Sequence, residues 1–470
     1  MVYQEEKALK LAAQSQLESV NLLQKLVRIA SLTGEEGEAQ NFLSTILKDL
    51  SGEVRMIEPD IAALFKAFPK VAQYPTHWEH DLVIPYDDLP NLADLESSGV
   101  KPLLNYKNRP NLVCLLKGTG SGRSIILNGH IDTVTVEPRA EWTKDPFGGE
   151  IVDDYMYGRG TSDMKGGLLA GIMAVTFLKK AGVQLKGDVI IESVVNEEHS
   201  GNGTLDLIRR GYTADGAIVL EPTNNKIAVS SPGGLYWQIT IPGVPRSPGA
   251  RWNGTELEGV SAIEKIPVII DALLDLETKY NTSQKINYME KGRTPFSLVI
   301  GKVSGGHYES VTASEAIIRG GAYFSPVTGD IHEIMDTMKN TINSVNMRDE
   351  FLKKNPAILR FLHHDDSSRQ SEQIPLAVAL SDSLKKQGML GDIVPGPFAC
   401  DARHLINQGN IPTVIFGPGT IAQAHKPDEH IMISEYLACI EHLISFLASW
   451  CNELSDKSFN ETAHRHLEPG

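Results

Sequence analysis

Three short apolar runs, residues 124–127, 187–195 and 217–220, each give way directly to polar chemistry. Asn128-Gly129-His130-Ile131-Asp132 follows the first, Asn196-Glu197-Glu198 the second and Glu221 the third. Short, mostly apolar runs read as strands buried on both faces, the habit of a parallel sheet covered by helices. Between the first two lies Gly166–Ala181, rich in Leu, Ala and Gly, which reads as a helix. Strands alternating with helices specify α/β layers. Open sheets of that class bind ligands just beyond the carboxyl ends of their strands, where these His, Asp and Glu residues fall.

The flanking chain adds detail. Residues 5–50 read as two helices broken at 31–36, where Thr33 and Glu36 have capping-box spacing. Strands are expected at 54–57 and Asn111–Leu116, with 59–108 a surface insertion rich in Pro, Asp and Tyr. From residue 233 the pattern changes. An alternating strand at 235–241 and a loop at 242–254 precede a helix at 260–277. Strands at 296–303 and 316–323 and a helix at 331–344 follow. That order suggests an α+β unit with an antiparallel sheet. A helix at 374–388, a strand at 411–416 and a helix at 434–450 return to the first pattern. The expected organisation is therefore a catalytic domain of residues 1–232 and 368–470, with 233–367 inserted into it and 453–470 a frayed tail.

With 470 residues, more than one domain is expected, and 41% hydrophobic against 22% charged residues is ordinary for a globular protein. A net charge of −15 argues against a nucleic-acid partner, which needs clustered Lys and Arg. Cys114, Cys400, Cys439 and Cys451 are far apart, with neither metal-ligand nor disulfide spacing. No apolar run reaches the roughly 20 residues of a membrane span, and residues 1–7 lack a signal-peptide core. A cytoplasmic protein with no membrane partner is expected.

Each chemical signal has an ordinary explanation when taken alone. His130 and Asp132, two apart, share a face if extended, so one can ligate a metal while the other orients it. Asp163, in the glycine-dense turn 158–167, is either an exposed carboxylate or a helix cap. Glu197-Glu198 is a pair of carboxylates that repel unless a cation or proton relieves them. Glu221 and His425 could each belong to a surface turn. Their conjunction, five such signals in order at strand ends and glycine turns, points to a hard-to-borderline divalent metal site without cysteine.

The runs NGHIDTV, YGRGTSDMKGG, NEEHSGNG, LEPT and GPGTIAQAHKPDE resemble the family of acetylornithine deacetylase, succinyl-diaminopimelate desuccinylase, aminoacylase and glutamate carboxypeptidase, over about residues 15–455. The resemblance implies a zinc-peptidase-like catalytic domain with a mostly parallel central sheet. It also implies a lid and homodimerisation domain at 233–367. Two divalent ions are implied, Zn2+ first, with Co2+ or Mn2+ as alternatives. His130 and Glu221 would hold one ion, Glu198 and His425 the other, and Asp163 would bridge them. Glu197 would be the general base, and Asp132 would orient His130, with a cis peptide to Thr133. The reaction expected is hydrolysis of a linear amide, as in an N-acyl amino acid deacylase. A dipeptidase or aminohydrolase, or a metal-binding protein with weak or lost turnover, are the alternatives.

Two departures bear on the lid. Where the family carries a histidine that helps hold the oxyanion, this chain has Ser247; His307 or Arg246 could substitute. Where the family often has an arginine, the chain has Gly321, with Arg319 two residues away on the same face. Arg403 falls in a region that faces substrate in several relatives, and a guanidinium there would select a carboxylate-bearing small amide.

Overall fold

The computed structural model describes residues 2–73, 84–98, 104–282 and 295–455. The tail beyond 455 and part of the 59–108 insertion lie outside the described residues. The central sheet runs Glu53–Ile57, Asn111–Leu116, Val189–Val194, Ile125–His130, Ala217–Val219, Thr413–Ile415, Ile227–Ala228, Ile393–Val394. Its middle is parallel: Ile125–His130 pairs in that sense with both neighbours, as does Ala217–Val219 with Thr413–Ile415. The Glu53–Ile57 and Asn111–Leu116 edge is antiparallel.

Helices cover both faces, which is why the central strands are apolar on both sides. Gly166–Ala181 and Ile433–Trp450 pack on one face with the amino-terminal helices, while Phe398, Leu405 and Leu207 belong to the cluster on the other. Gly166–Ala181 is buried almost all round. A Cβ on Gly167 would stand 1.8 Å from the Leu220 carbonyl oxygen, so the helix can begin this close to the sheet only through glycine. Among the described residues, no helix is long and apolar enough to cross a membrane.

A second sheet, antiparallel throughout, runs Phe296–Gly305, Glu315–Phe324, Gly233–Pro242, Ile358–Asp365. Alternation along Gly233–Pro242 buries Leu235, Trp237, Ile239 and Ile241 in a cluster shared with helices Ile266–Asn281 and Ile331–Arg348. Tyr236, Gln238 and Thr240 take the other face. The mostly parallel sheet and the separate antiparallel one are the fold class read from the sequence.

Several local expectations are corrected. The amino-terminal region forms three helices, Val2–Gln14, Gln16–Val27 and Gly37–Lys48. The capping box does not form, because both of its side chains have partners elsewhere. Thr33 Oγ1 donates to the Asp132 carboxylate at 2.9 Å. Glu36 accepts from Arg109 Nε and Nη2 at 2.7 and 2.8 Å in a buried pair. The 59–108 insertion contains helices Ile61–Ala67 and Leu92–Ser97 and places Tyr86, Leu95 and Leu104 in the second sheet's cluster. Tyr86 and Phe361 exchange backbone hydrogen bonds at 2.8 and 3.0 Å, covering the edge strand Ile358–Asp365. That strand itself was not expected; its sequence ends in His363-His364-Asp365, a polar run that is nonetheless largely buried.

Candidate metal centre

The strand ends and turns bring the sequence-predicted residues together. His130 ends its strand, and its Nε2 lies 3.1 Å from Asp163 Oδ1, 3.6 Å from Glu221 Oε1 and 3.9 Å from Glu197 Oε2. On the other side, His425 Nε2 lies 3.2 Å from Asp163 Oδ2 and 3.1 Å from Glu198 Oε2. The two Asp163 oxygens therefore face different histidines. Two donor triads result, His130/Asp163/Glu221 and Asp163/Glu198/His425, each with its ligand atoms within 4.8 Å of one another.

Backbone geometry aims these groups. Asn196 and His425 adopt positive φ of 66° and 62°, turning the chain sharply beside each triad. Among the described residues the cis peptides are Glu137–Pro138 and Asp163–Met164. The expected one after Asp132 is not among them; the non-proline cis bond belongs to Asp163 instead.

Asp132 acts differently from expectation. His130 Nδ1 bonds the Asp132 backbone carbonyl at 2.8 Å, whereas the carboxylate stands off at 3.8 Å. That carboxylate accepts from the backbone N–H groups of Glu197 at 3.1 Å and Glu198 at 3.2 Å. One residue thus fixes the His130 imidazole with its main chain and the Glu197-Glu198 turn with its side chain. Sequence reasoning missed Glu429, although it lies inside a quoted motif. Fully buried, it accepts from the Ser162 and Asp163 N–H groups at 2.9 and 3.1 Å and pairs with Arg159 at 2.7 Å.

The electrostatics call for cations. Burial pushes Glu197 and Glu221 well above the usual carboxylate range. Burial works to lower both histidines, but the surrounding carboxylates outweigh it, raising His130 and pushing His425 up to about 11. Burial would raise Asp163, yet its bonds to the two histidines hold it low. Carboxylates gathered this closely are unfavourable without positive charge between them. An all-oxygen-and-imidazole set sharing one carboxylate fits two divalent ions.

None of the other candidates belongs to the two donor triads. Ser247 is exposed at the start of a short 3-10 turn, Pro248–Ala250. Arg246 and exposed His307 line one cavity of about 590 Å3 with Arg251, Ser261, Tyr308 and Thr312, which includes no residue of the metal centre. Gly321 lies beneath Tyr236, whose ring atoms stand 3.2 Å from where a Cβ would be. Arg319 donates to Gln238 at 2.8 Å. Arg403 is buried, with Nη2 3.0 Å from Asp365. The free substrate-binding cation expected from the sequence therefore already has a carboxylate, from a residue that sequence reasoning did not single out.

Fold and donor set together define the class: a metal-dependent hydrolase. The chain belongs to Peptidase family M20/M25/M40, whose model matches residues 126–449, and it acts on amide bonds. It is 30% identical over 372 residues to the N-formyl-4-amino-5-aminomethyl-2-methylpyrimidine deformylase of Halalkalibacterium halodurans, covering 74% of this chain and 84% of that one. A "Probable succinyl-diaminopimelate desuccinylase" of Staphylococcus aureus is 26% identical over 396 residues, covering 75% and 88%. A solved di-peptidase of Saccharomyces cerevisiae shares the fold with a TM-score of 0.68 at 14% identity, covering 96% of this chain and 99% of that one. The family resemblance read from the motifs is thereby borne out.

Proposed function

We propose that the protein is a cocatalytic two-metal deacylase that hydrolyses the amide of a small N-acyl substrate. The observation that carries this reading is the placement of Asp163 between His130 and His425, with Glu197 beside them. His130 and Glu221 would hold one ion, Glu198 and His425 the other, and Asp163 both. Zn2+ suits the donors best, with Co2+ or Mn2+ as alternatives. Bound ions of this kind acidify a water and polarise a carbonyl.

The chain's own groups do the rest. Glu197 accepts a proton from the water as its oxygen attacks the amide carbon. As the C–N bond breaks, Glu197 passes that proton to the leaving nitrogen, and a carboxylic acid and an amine are released. Asp132 keeps this carboxylate in place through the Glu197 N–H. The names of the sequence relatives describe removal of formyl and succinyl groups, which favours a deacylase over a dipeptidase or aminohydrolase.

Residues 1–232 and 368–470 form the catalytic unit in this reading, and 233–367 form a lid through which two copies associate. The cavity holding Arg246 and His307 would serve the partner copy, in place of the histidine that Ser247 lacks. Sedimentation of the full chain tests this, with a dimer expected. A cytoplasmic location fits the four buried free thiols.

Amine release from N-formyl, N-acetyl and N-succinyl amines and from dipeptides, with each metal added, tests the reaction. The Glu197→Gln variant is expected to lower kcat by about 10²–10⁴ while keeping its metal. Unchanged turnover in that variant would sink the mechanism.

A further inference from the structure

Arg403 is the second residue of the helix Ala402–Asn407, and Glu197 is near enough to act electrostatically on its guanidinium. Its side chain is 5% exposed, and Nη2 lies 3.0 Å from Asp365 Oδ1. Asp365 ends the strand Ile358–Asp365, at the point where the chain leaves the second sheet for the first. His363 Nε2 stands 3.2 Å from the same Asp365 oxygen. Burial alone would raise Asp365 and lower Arg403. The pairing outweighs it in both, so the carboxyl is held low and the guanidinium high.

The neighbouring face of the second sheet carries Tyr236 and Tyr323, with exposed Lys302 opposite Arg319 further along the strands. Tyr236 and Tyr323 are diagonal neighbours across the pairing of Gly233–Pro242 with Glu315–Phe324, because Tyr236 faces Gly321 and Gly234 faces Tyr323. Tyr236 lies over Gly321, and its ring centroid is 6.4 Å from that of His363. Arg319, on the same strand as Gly321, is turned to Gln238.

We propose that Asp365 is an internal counter-ion that cancels Arg403 as a carboxylate receptor, so that the amine half of the substrate bears an aromatic ring and no carboxylate, seated against Tyr236 and Tyr323. This rests on the hydrolase reading above. A substrate carboxylate brought to Arg403 would meet the Asp365 charge in a poorly solvated site, where like charges repel strongly. Asp365 is a specificity-determining positioning residue, acting through Arg403 rather than on the amide.

The test compares N-formylbenzylamine with N-formylphenylglycine, which differ by the carboxylate alone. Turnover is measured with the metal-loaded full chain, and binding by calorimetry with metal-loaded Glu197→Gln. A preference of at least tenfold for the benzylamine is expected in kcat/KM and in Kd. The Asp365→Asn variant is expected to narrow that preference at least tenfold, mainly through a lower KM for the phenylglycine compound. Tighter binding or faster turnover of the phenylglycine compound by the wild-type chain overturns the proposal. So does an Asp365→Asn protein that folds and keeps the wild-type ratio. If Asp365→Asn does not fold, the wild-type comparison decides. If neither compound is hydrolysed yet the benzylamine compound binds at least tenfold more tightly, the hydrolase reading fails and the assignment of Asp365 stands.

Discussion

Asp163 and Glu221 have unequal duties, and metal content should reveal them. Asp163→Ala is expected to lose both ions, because each donor triad uses one of its oxygens. Glu221→Ala should lose one, leaving a metal-to-protein ratio near half that of the wild type in atomic emission. Further from the ions, Glu192 is buried against Asn128, which donates to it at 3.0 Å. Burial pushes it from 4.5 up to about 7, the Asn128 bond works the other way, and the Asp401 charge adds to the rise. Between those two values the folded chain holds a proton that the unfolded chain has released. Stability from this group is full below about 4.5 and is lost as pH rises through about 7. Glu192→Gln should flatten that slope, by up to about 3 kcal/mol, in denaturant titrations at pH about 5 and about 8. Arg403 and Asp132 teach a related lesson. Their residue types marked them as functional in the sequence, but their partners lie far along the chain. Asp365 and the Glu197-Glu198 turn could be matched to them only once the sheets were assembled.

Legibility varied between elements for identifiable reasons. Gly166–Ala181 and Asn111–Leu116 were read with their observed bounds, because a long run rich in Leu, Ala and Gly and a short, mostly apolar strand leave few alternatives. The strand Ile358–Asp365 was missed because its buried end carries two histidines and an aspartate, residues that mimic a loop. The helix Gly37–Lys48 was expected to start with a box of Thr33 and Glu36, yet it begins with no side-chain cap at all. Thr33→Val separates the two roles. Loss of a cap would cost about 1 kcal/mol of stability. Loss of the Asp132 partner should instead weaken metal affinity by roughly 10–100-fold with little change in the thermal midpoint of the metal-free protein. Equilibrium competition with a coloured chelator measures the first quantity and calorimetric melting the second.

At the scale of the molecule, the centre joins parts of the chain that are remote in sequence, from His130 to His425. Two ions held across that span would tie them together. Removing metal with a chelator should therefore lower the melting temperature, and returning Zn2+ or Mn2+ should restore it. At a free ion concentration 100 times the Kd, each site adds about 2.7 kcal/mol. An unchanged melting curve on chelation would contradict the bridging geometry. The same span governs how the protein is made. Thr413–Ile415 lies between Ala217–Val219 and Ile227–Ala228 in the sheet, so the place it fills stays open until translation has passed residue 415. All four strands of the second sheet, up to Asp365, are synthesised before that. A nascent chain on the ribosome can thus complete its second sheet while its first still shows bare strand edges and an acidic half-site lacking His425. Ion capture by the finished centre is then a post-translational event, and chains truncated between residues 365 and 413 are the ones most exposed to aggregation and proteolysis.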